Sequence, residues 1–400
     1  MFQPLAGLKV IDLTQVLAGP YAAYQLGLMG AEVIKIETPG TGDWTRTSGS
    51  LPELNARRMG IGYLTQNANK KSVALNIKTP EGLEILKKLV AEADVFIENF
   101  RPGTIARLGL PFEVAKQINP RILYCSISAY GQDGPFSARP AYDHVIQGMC
   151  GIMKTTGTLD TGPQKVGAPY VDYATGLNAA FAIVSALHQT RATGEALHLD
   201  VAMLDTSILL MASLMTSHLT GGWTPAPSGN EAWSASPSSG AFETTDGLLM
   251  IAANNDRQFR AMCAGLGRGD ILADPRWADP KTRARNAPAL RAELVALFLT
   301  DTAAHWETVL DAAGVPAARV RRLDETLAEE QAKVRQIALT MPWNGGASEI
   351  HLPTLGFKVN GETPGPTVAP PELGADTGEV LRRLGYGEEE LRRLSAQSVI

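Results

Sequence analysis

Asp172 lies in the stretch Gly167-Ala168-Pro169-Tyr170-Val171-Asp172-Tyr173-Ala174-Thr175-Gly176, just before an apolar helical run that begins near Leu177. A carboxylate there feels the unsatisfied N–H groups and positive dipole end of the helix, which keep it ionised and available as a nucleophile. The position also suits an ordinary helix cap, for which aspartate is among the preferred residues. Two further segments carry chemistry of another kind. Asn67-Ala68-Asn69-Lys70-Lys71-Ser72 runs into Val73-Ala74-Leu75-Asn76-Ile77-Lys78, which puts lysines and amides around one short strand. Glu98-Asn99-Phe100-Arg101-Pro102-Gly103 follows another strand, with Arg107 one helical turn further on. Cationic side chains beside helix N-termini hold phosphate groups, and an aromatic such as Phe100 can stack on a base. At consecutive strand ends of one sheet they point to a nucleotide-type ligand.

Several other chemistries lack their residues. After the first strand comes Thr14-Gln15-Val16-Leu17-Ala18-Gly19-Pro20, not the glycine fingerprint of a dinucleotide site, and Pro39-Gly40-Thr41-Gly42-Asp43 lacks the Gly-Lys-Ser/Thr that completes a phosphate loop. No Gly-x-Ser-x-Gly elbow occurs. His144, His188, His198, His218, His305 and His351 have no metal-like spacing. The 3 cysteines, Cys125, Cys150 and Cys263, form no C-x-x-C pair, so neither a disulfide framework nor a thiolate zinc site is expected. A net charge of −5 with scattered Lys and Arg argues against a nucleic-acid surface. The Met1 to Gly7 start lacks a basic region followed by an apolar core. The most apolar stretches, 177–187 and 208–219, are too short or too interrupted to span a bilayer, so a soluble, cytoplasmic protein is expected.

The elements that must position these residues alternate in type. Lys9 to Leu13, Glu32 to Glu37, Ser72 to Asn76, Asp94 to Ile97 and Ile122 to Ile127 read as strands. Pro20 to Met29 reads as a helix, as does the run opened by Thr79-Pro80-Glu81. This order predicts an α/β fold: a doubly wound, mostly parallel, Rossmann-like sheet with loops gathered at the strands' C-terminal ends. With 400 residues, a second domain is expected. The rhythm breaks at 221–240, rich in Gly, Pro and Ser. The expected organisation is a large domain over 1–220, a linker over 221–240, a smaller inserted α+β domain over 241–325 opened by a hairpin turning at Asp246-Gly247, and a return to the large domain over 326–400.

The chain resembles the family III CoA-transferases, which include transferases for formyl-CoA, carnitine and succinyl-CoA-dependent dicarboxylates as well as 2-methylacyl-CoA racemases. The resemblance rests on Val10-Ile11-Asp12-Leu13-Thr14 with Ala18-Gly19-Pro20, Gly30 to Glu37, Gly42-Asp43, Glu98 to Gly103, Gly131 to Pro135, Tyr142-Asp143-His144, Asp200 to Met203, Ala313 to Ala317 and Pro371 to Gly374. It implies that Asp172 is the catalytic aspartate. It also implies that Asn76, Lys78, Asn99, Phe100, Arg101, Arg107, Pro140, Ala141 and Asp143 contact CoA. Gln15, Val16, Leu17, Ala18 and Tyr142 would lie beside the thioester. Thr38 stands where some members have an arginine for the CoA phosphates. Ser234 to Gly240 reads Ser-Ala-Ser-Pro-Ser-Ser-Gly, not the glycine-rich loop of formyl-CoA transferase, which weighs against oxalate as acceptor.

The implied activity is CoA transfer from an acyl-CoA, succinyl-CoA by analogy, to a small dicarboxylate or similar acid, with CoA esters as substrates and no prosthetic group or metal. The implied assembly is an intertwined homodimer, with no nucleic-acid or membrane partner. One alternative is a 2-methylacyl-CoA racemase. That branch uses a His-Asp pair, whereas this chain has Tyr142-Asp143, and tyrosine, with a pKa of about 10, is a poor base near neutral pH. A second alternative is a CoA-binding module without catalysis.

Overall fold

The computed structural model describes residues 2–232, 234–343 and 349–400. The chain divides into two compact units: residues 1–152, 165–223 and 330–400 form the first, and residues 153–164 and 224–329 the second.

The first unit is built on a six-stranded parallel sheet of β1 (Lys9–Asp12), β2 (Glu32–Glu37), β3 (Lys70–Ala74), β4 (Val95–Glu98), β5 (Leu123–Ser128) and β6 (Leu197–Ala202), in the order β3-β2-β1-β4-β5-β6. Strand order reverses between β1 and β4, and in sheets of this kind the crevice beyond the strands' C-terminal ends at that point takes the ligand. The inner strands β4 and β5 are buried along their whole length because both faces are covered. Along β1, Ile11 enters one core with Ile34, Phe96 and Tyr124, while Val10 enters the opposite core with Val33, Val95 and Leu123.

Helices cover both faces, α1 (Ala18–Leu28) and α4 (Tyr170–Thr193) on one and α2 (Pro80–Ala91), α6 (Thr377–Arg383) and α7 (Glu388–Ala396) on the other, and the unit also contains α3 (Asp143–Cys150) and α5 (Ala212–Gly221). Thr79 caps α2 by accepting the Gly82 N–H, with Pro80 in its first turn. Val380, Leu381, Leu391 and Leu394 of α6 and α7 join the core containing Ile11, which places the C-terminal helices on the first unit. A two-stranded antiparallel pair, β10 (Ala338–Pro342) and β11 (Glu349–Pro353), completes this unit.

The second unit contains the antiparallel strands β7 (Ser239–Glu243), β8 (Leu248–Ala252) and β9 (Ala317–Arg319), with helices over Asp256–Gly265, Ala287–Phe298 and Ala303–Ala312 on one core. Two boundaries drawn from composition differ from this division. The polar segment 153–164 clusters with the second unit although it lies far upstream of it, and residues 224–240 belong to that unit instead of standing apart as a linker. Gly229 is tied to this upstream segment by its N–H, which donates to the Gly157 carbonyl at 2.7 Å. Among the described residues no helix is long and apolar enough to cross a membrane.

Candidate active site

The loops at the switch point enclose a cleft of about 220 Å3, lined by Val16, Leu17 and Ala18 after β1, Asn99 to Pro102 after β4, Ile127 to Ala129 at β5, Ser137 and Arg139 to Tyr142, Met203 and Asp172. Sequence-predicted residues that come together here are Val16, Leu17, Ala18, Asn99, Phe100, Arg101, Pro140, Ala141, Tyr142 and Asp172.

Asp172 is the third residue of α4, not the residue before a helix beginning near Leu177, and it does not cap. Capping falls to Asp143, the first residue of α3, whose Oδ2 accepts the N–H groups of Val171 at 2.8 Å and Asp172 at 3.2 Å. Asp143 is in turn oriented by Gln147, whose Nε2 donates to Oδ1 at 2.6 Å. The orphan donors at the start of α4 are thus satisfied from α3, and the Asp172 carboxylate is left facing the cleft. Its electrostatics differ from the sequence expectation. Burial, with the Asp143 carboxylate as second cause, pushes its pKa up to about 7, overriding the effect expected of the helix dipole. Such a carboxylate ionises near neutral pH and, poorly solvated, is a stronger base than an exposed one.

The approach of α4 to α1 depends on Gly176, one turn beyond Asp172. A Cβ there would stand 2.7 Å from the Ala18 carbonyl oxygen and 3.1 Å from the Tyr21 side chain. Only a glycine lets the two helices approach this closely, and Tyr21 packs edge-on against Tyr173 at 4.8 Å beside it. On the other wall, Asn99 accepts the Gln15 N–H at 2.9 Å and donates to the Gln15 carbonyl at 2.8 Å, which joins the loops after β1 and β4. Glu98, buried at the end of β4, accepts the Phe100 N–H at 2.8 Å. Burial, with Asp200 adding to it, pushes Glu98 up to about 7.

Other predicted positions lie elsewhere. Gln15 is occupied through its backbone by Asn99 and does not line the cleft. Asp143 does not line it either, because its carboxylate is buried beneath α4. Lys78 and Arg107 line a separate cavity of about 340 Å3 with Thr79, Pro80 and Glu84. Asn76 accepts the Lys78 N–H at 3.2 Å and so shapes that loop. Lys70 and Lys71 are spent structurally: Lys70 is buried, 2.9 Å from Asp12, and Lys71 pairs with Glu32 and Glu379. Arg139 lines the cleft without having been singled out, and Met203, quoted only for the family resemblance, lines it as well. Arg139 stacks its guanidinium on Phe136 at 3.9 Å, and among the described residues it has no carboxylate partner.

Comparison with known proteins settles the family. The sequence profile described as CoA-transferase family III matches residues 5–377. The chain belongs to this family. It is 37% identical over its full length to a mouse protein named succinyl-CoA:glutarate CoA-transferase, covering 90% of it. It is 36% identical to an Agrobacterium fabrum protein named succinate--glutarate CoA-transferase, over 86% of each chain. Among solved structures, a CaiB/BaiF family protein from Brucella suis superposes with a TM-score of 0.83 at 33% identity, over 96% of this chain and 100% of that one. Membership makes the protein an enzyme of the CoA-transferase class, with CoA thioesters as substrates.

Proposed function

We propose that the protein transfers CoA from succinyl-CoA to glutarate or a comparable short dicarboxylate, with Asp172 as the covalent carrier. The observation that carries this reading is a carboxylate relieved of capping, with a pKa near 7, facing the cleft at the switch point. The full-length relatives named for succinyl-CoA and glutarate support the choice of acids.

The Asp172 carboxylate attacks the donor thioester carbonyl, giving a mixed anhydride and CoA thiolate. The thiolate returns to the aspartyl carbonyl and expels succinate, leaving an aspartyl-CoA thioester. The acceptor carboxylate then displaces CoA, forming a second anhydride, and the thiolate captures the acceptor acyl group and restores the aspartate. Each step passes through an oxyanion that needs N–H donors. The amides of Leu17 and Ala18, at the start of α1 on the cleft wall, have no partner among the described residues and are the donors we assign. Arg101 and Arg139 at the cleft, with Lys78 and Arg107 at the second cavity, supply cations for the CoA phosphates.

Resemblance to the family also implies an intertwined homodimer. Exposed apolar side chains support it: α5 buries no residue, and Leu219 is 76% exposed and Phe181 of α4 72%. Against the racemase reading, no histidine among the described residues lines the cleft, and Tyr142 lines it at the position where the resemblance puts that branch's histidine.

The test is a panel of short dicarboxylic acids incubated with succinyl-CoA in deuterated water. New acyl-CoA from glutarate or a near neighbour, with no deuterium at its α-carbon, is the expected mass spectrum. Rapid α-deuteration of a 2-methylacyl-CoA without any acceptor acid would establish the racemase instead.

A further inference from the structure

Val16 holds φ at 75°, the left-handed region, which a β-branched residue enters only under strain. The surroundings impose it. Every backbone N–H and C=O of Thr14, Gln15 and Val16 is bound by a side chain. Asp12 accepts the Thr14 N–H at 2.9 Å, and Lys35 donates to the Thr14 carbonyl at 2.6 Å. Asn99 takes both groups of Gln15. The Val16 N–H lies 3.3 Å from Asp43 Oδ2, and Gln66 Nε2 donates to the Val16 carbonyl.

The groups that bind Val16 are themselves fixed. Asp43 is buried, 3.2 Å from the Lys35 ammonium, and accepts the Thr45 N–H and hydroxyl. Around it Asp12, Glu37 and Asp43 are balanced one for one by Lys70, Arg46 and Lys35, all buried. Gln66 is fully buried and among the described residues its Oε1 has no partner, so an unsatisfied acceptor accompanies the strain it enforces. A strained φ at Val16 and an unpaired acceptor on the Gln66 that holds its carbonyl, both at the loop forming one wall of the cleft, mark a place where stability has been given up for geometry.

We propose that Gln66 and Asp43 are positioning residues of the transfer reaction. They hold the Val16 peptide in the left-handed turn from which the chain enters α1, and so fix Leu17 and Ala18 on the cleft wall shared with Asp172. This rests on the transfer reading given above. Geometry that matters only as charge develops lowers kcat and leaves substrate binding alone.

The test substitutes Gln66→Met, which keeps the volume and removes the donor without unpairing a charge. In the purified full chain, kcat falls about ten- to a hundredfold while KM for succinyl-CoA stays within about threefold. Glycine takes positive φ without strain, so the same substitution in a Val16→Gly background should cost less than about threefold. A crystal structure of Gln66→Met should have Val16 back at negative φ. Unchanged kcat, an equal loss in both backgrounds, or Val16 still at positive φ would each overturn the inference. A parent protein that transfers no CoA would sink the functional reading instead, and the crystallographic comparison would then decide this one.

Discussion

With a pKa near 7, Asp172 carries its charge through the middle of the physiological range, and two measurable consequences follow. As the attacking group must be ionised, kcat/KM for the CoA ester should fall about tenfold per pH unit below 7 and level off above it. Stability runs the other way. The folded-state pKa is raised from 3.8 to about 7, so the stability linked to the bound proton is complete below 3.8 and is lost as pH rises to 7. Asp172→Asn should therefore be more stable than the parent at pH 8 and equal to it near pH 4. At roughly 1.4 kcal/mol for each tenfold change in proton affinity, the gain is bounded at about 4 kcal/mol. The same variant should lose transfer by at least about a thousandfold yet bind CoA esters within about threefold; activity within tenfold of the parent, only ~1.4 kcal/mol in barrier, would remove the nucleophile assignment. At this scale the sequence was legible where a residue type advertises itself, as the aspartate near a helix start does. The cap supplied by Asp143 and the bond from Gln66 to Val16 were not legible, because each joins residues from separate loops whose meeting only the fold determines.

Between elements, the contact that matters most is that of α4 with α1. Alanine at 176 would gain roughly 1 kcal/mol of helix propensity over glycine. Its Cβ, however, meets the Ala18 carbonyl oxygen at 2.7 Å, a backbone atom that cannot step aside without moving α1. Gly176→Ala should thus lower Tm, by overpacking worth about 1–3 kcal/mol, and lower kcat about tenfold with little change in KM, since it displaces Asp172 relative to Leu17 and Ala18. A raised Tm with full activity would mean the helices do not pack this closely. The five N-terminal strands and α2 were readable from apolar runs and from the Thr79-Pro80 start signal, whose cap the structure bears out. The sixth strand was missed for a physical reason: β6 lies at the sheet edge, where Leu197–Ala202 alternates exposed His198 and Asp200 with half-buried leucines and offers no continuous apolar run.

For the whole molecule, composition revealed that the chain changes character after residue 220, but not that residues 153–164 cluster with the later unit, since no local pattern encodes a contact that closes over about sixty residues. A chain so interleaved bears on assembly. Helix α5 buries none of its residues, and Leu209, Leu210, Leu219 and Phe181 stand more than half exposed. Isolated apolar residues on a surface need no explanation, but several on neighbouring helices of one unit do. If a second copy covers them in an intertwined dimer, subunits cannot part without unfolding, and a folded monomer has no lifetime. Dilution followed by light scattering should then give dimer mass at every concentration at which the circular dichroism is native, with loss of dimer and loss of helix coinciding on heating. Leu219→Glu with Phe181→Glu should lower yield and Tm together and produce no stable monomer. A native-like monomer, from either the parent at low concentration or the double variant, would separate assembly from folding and reject the intertwined arrangement.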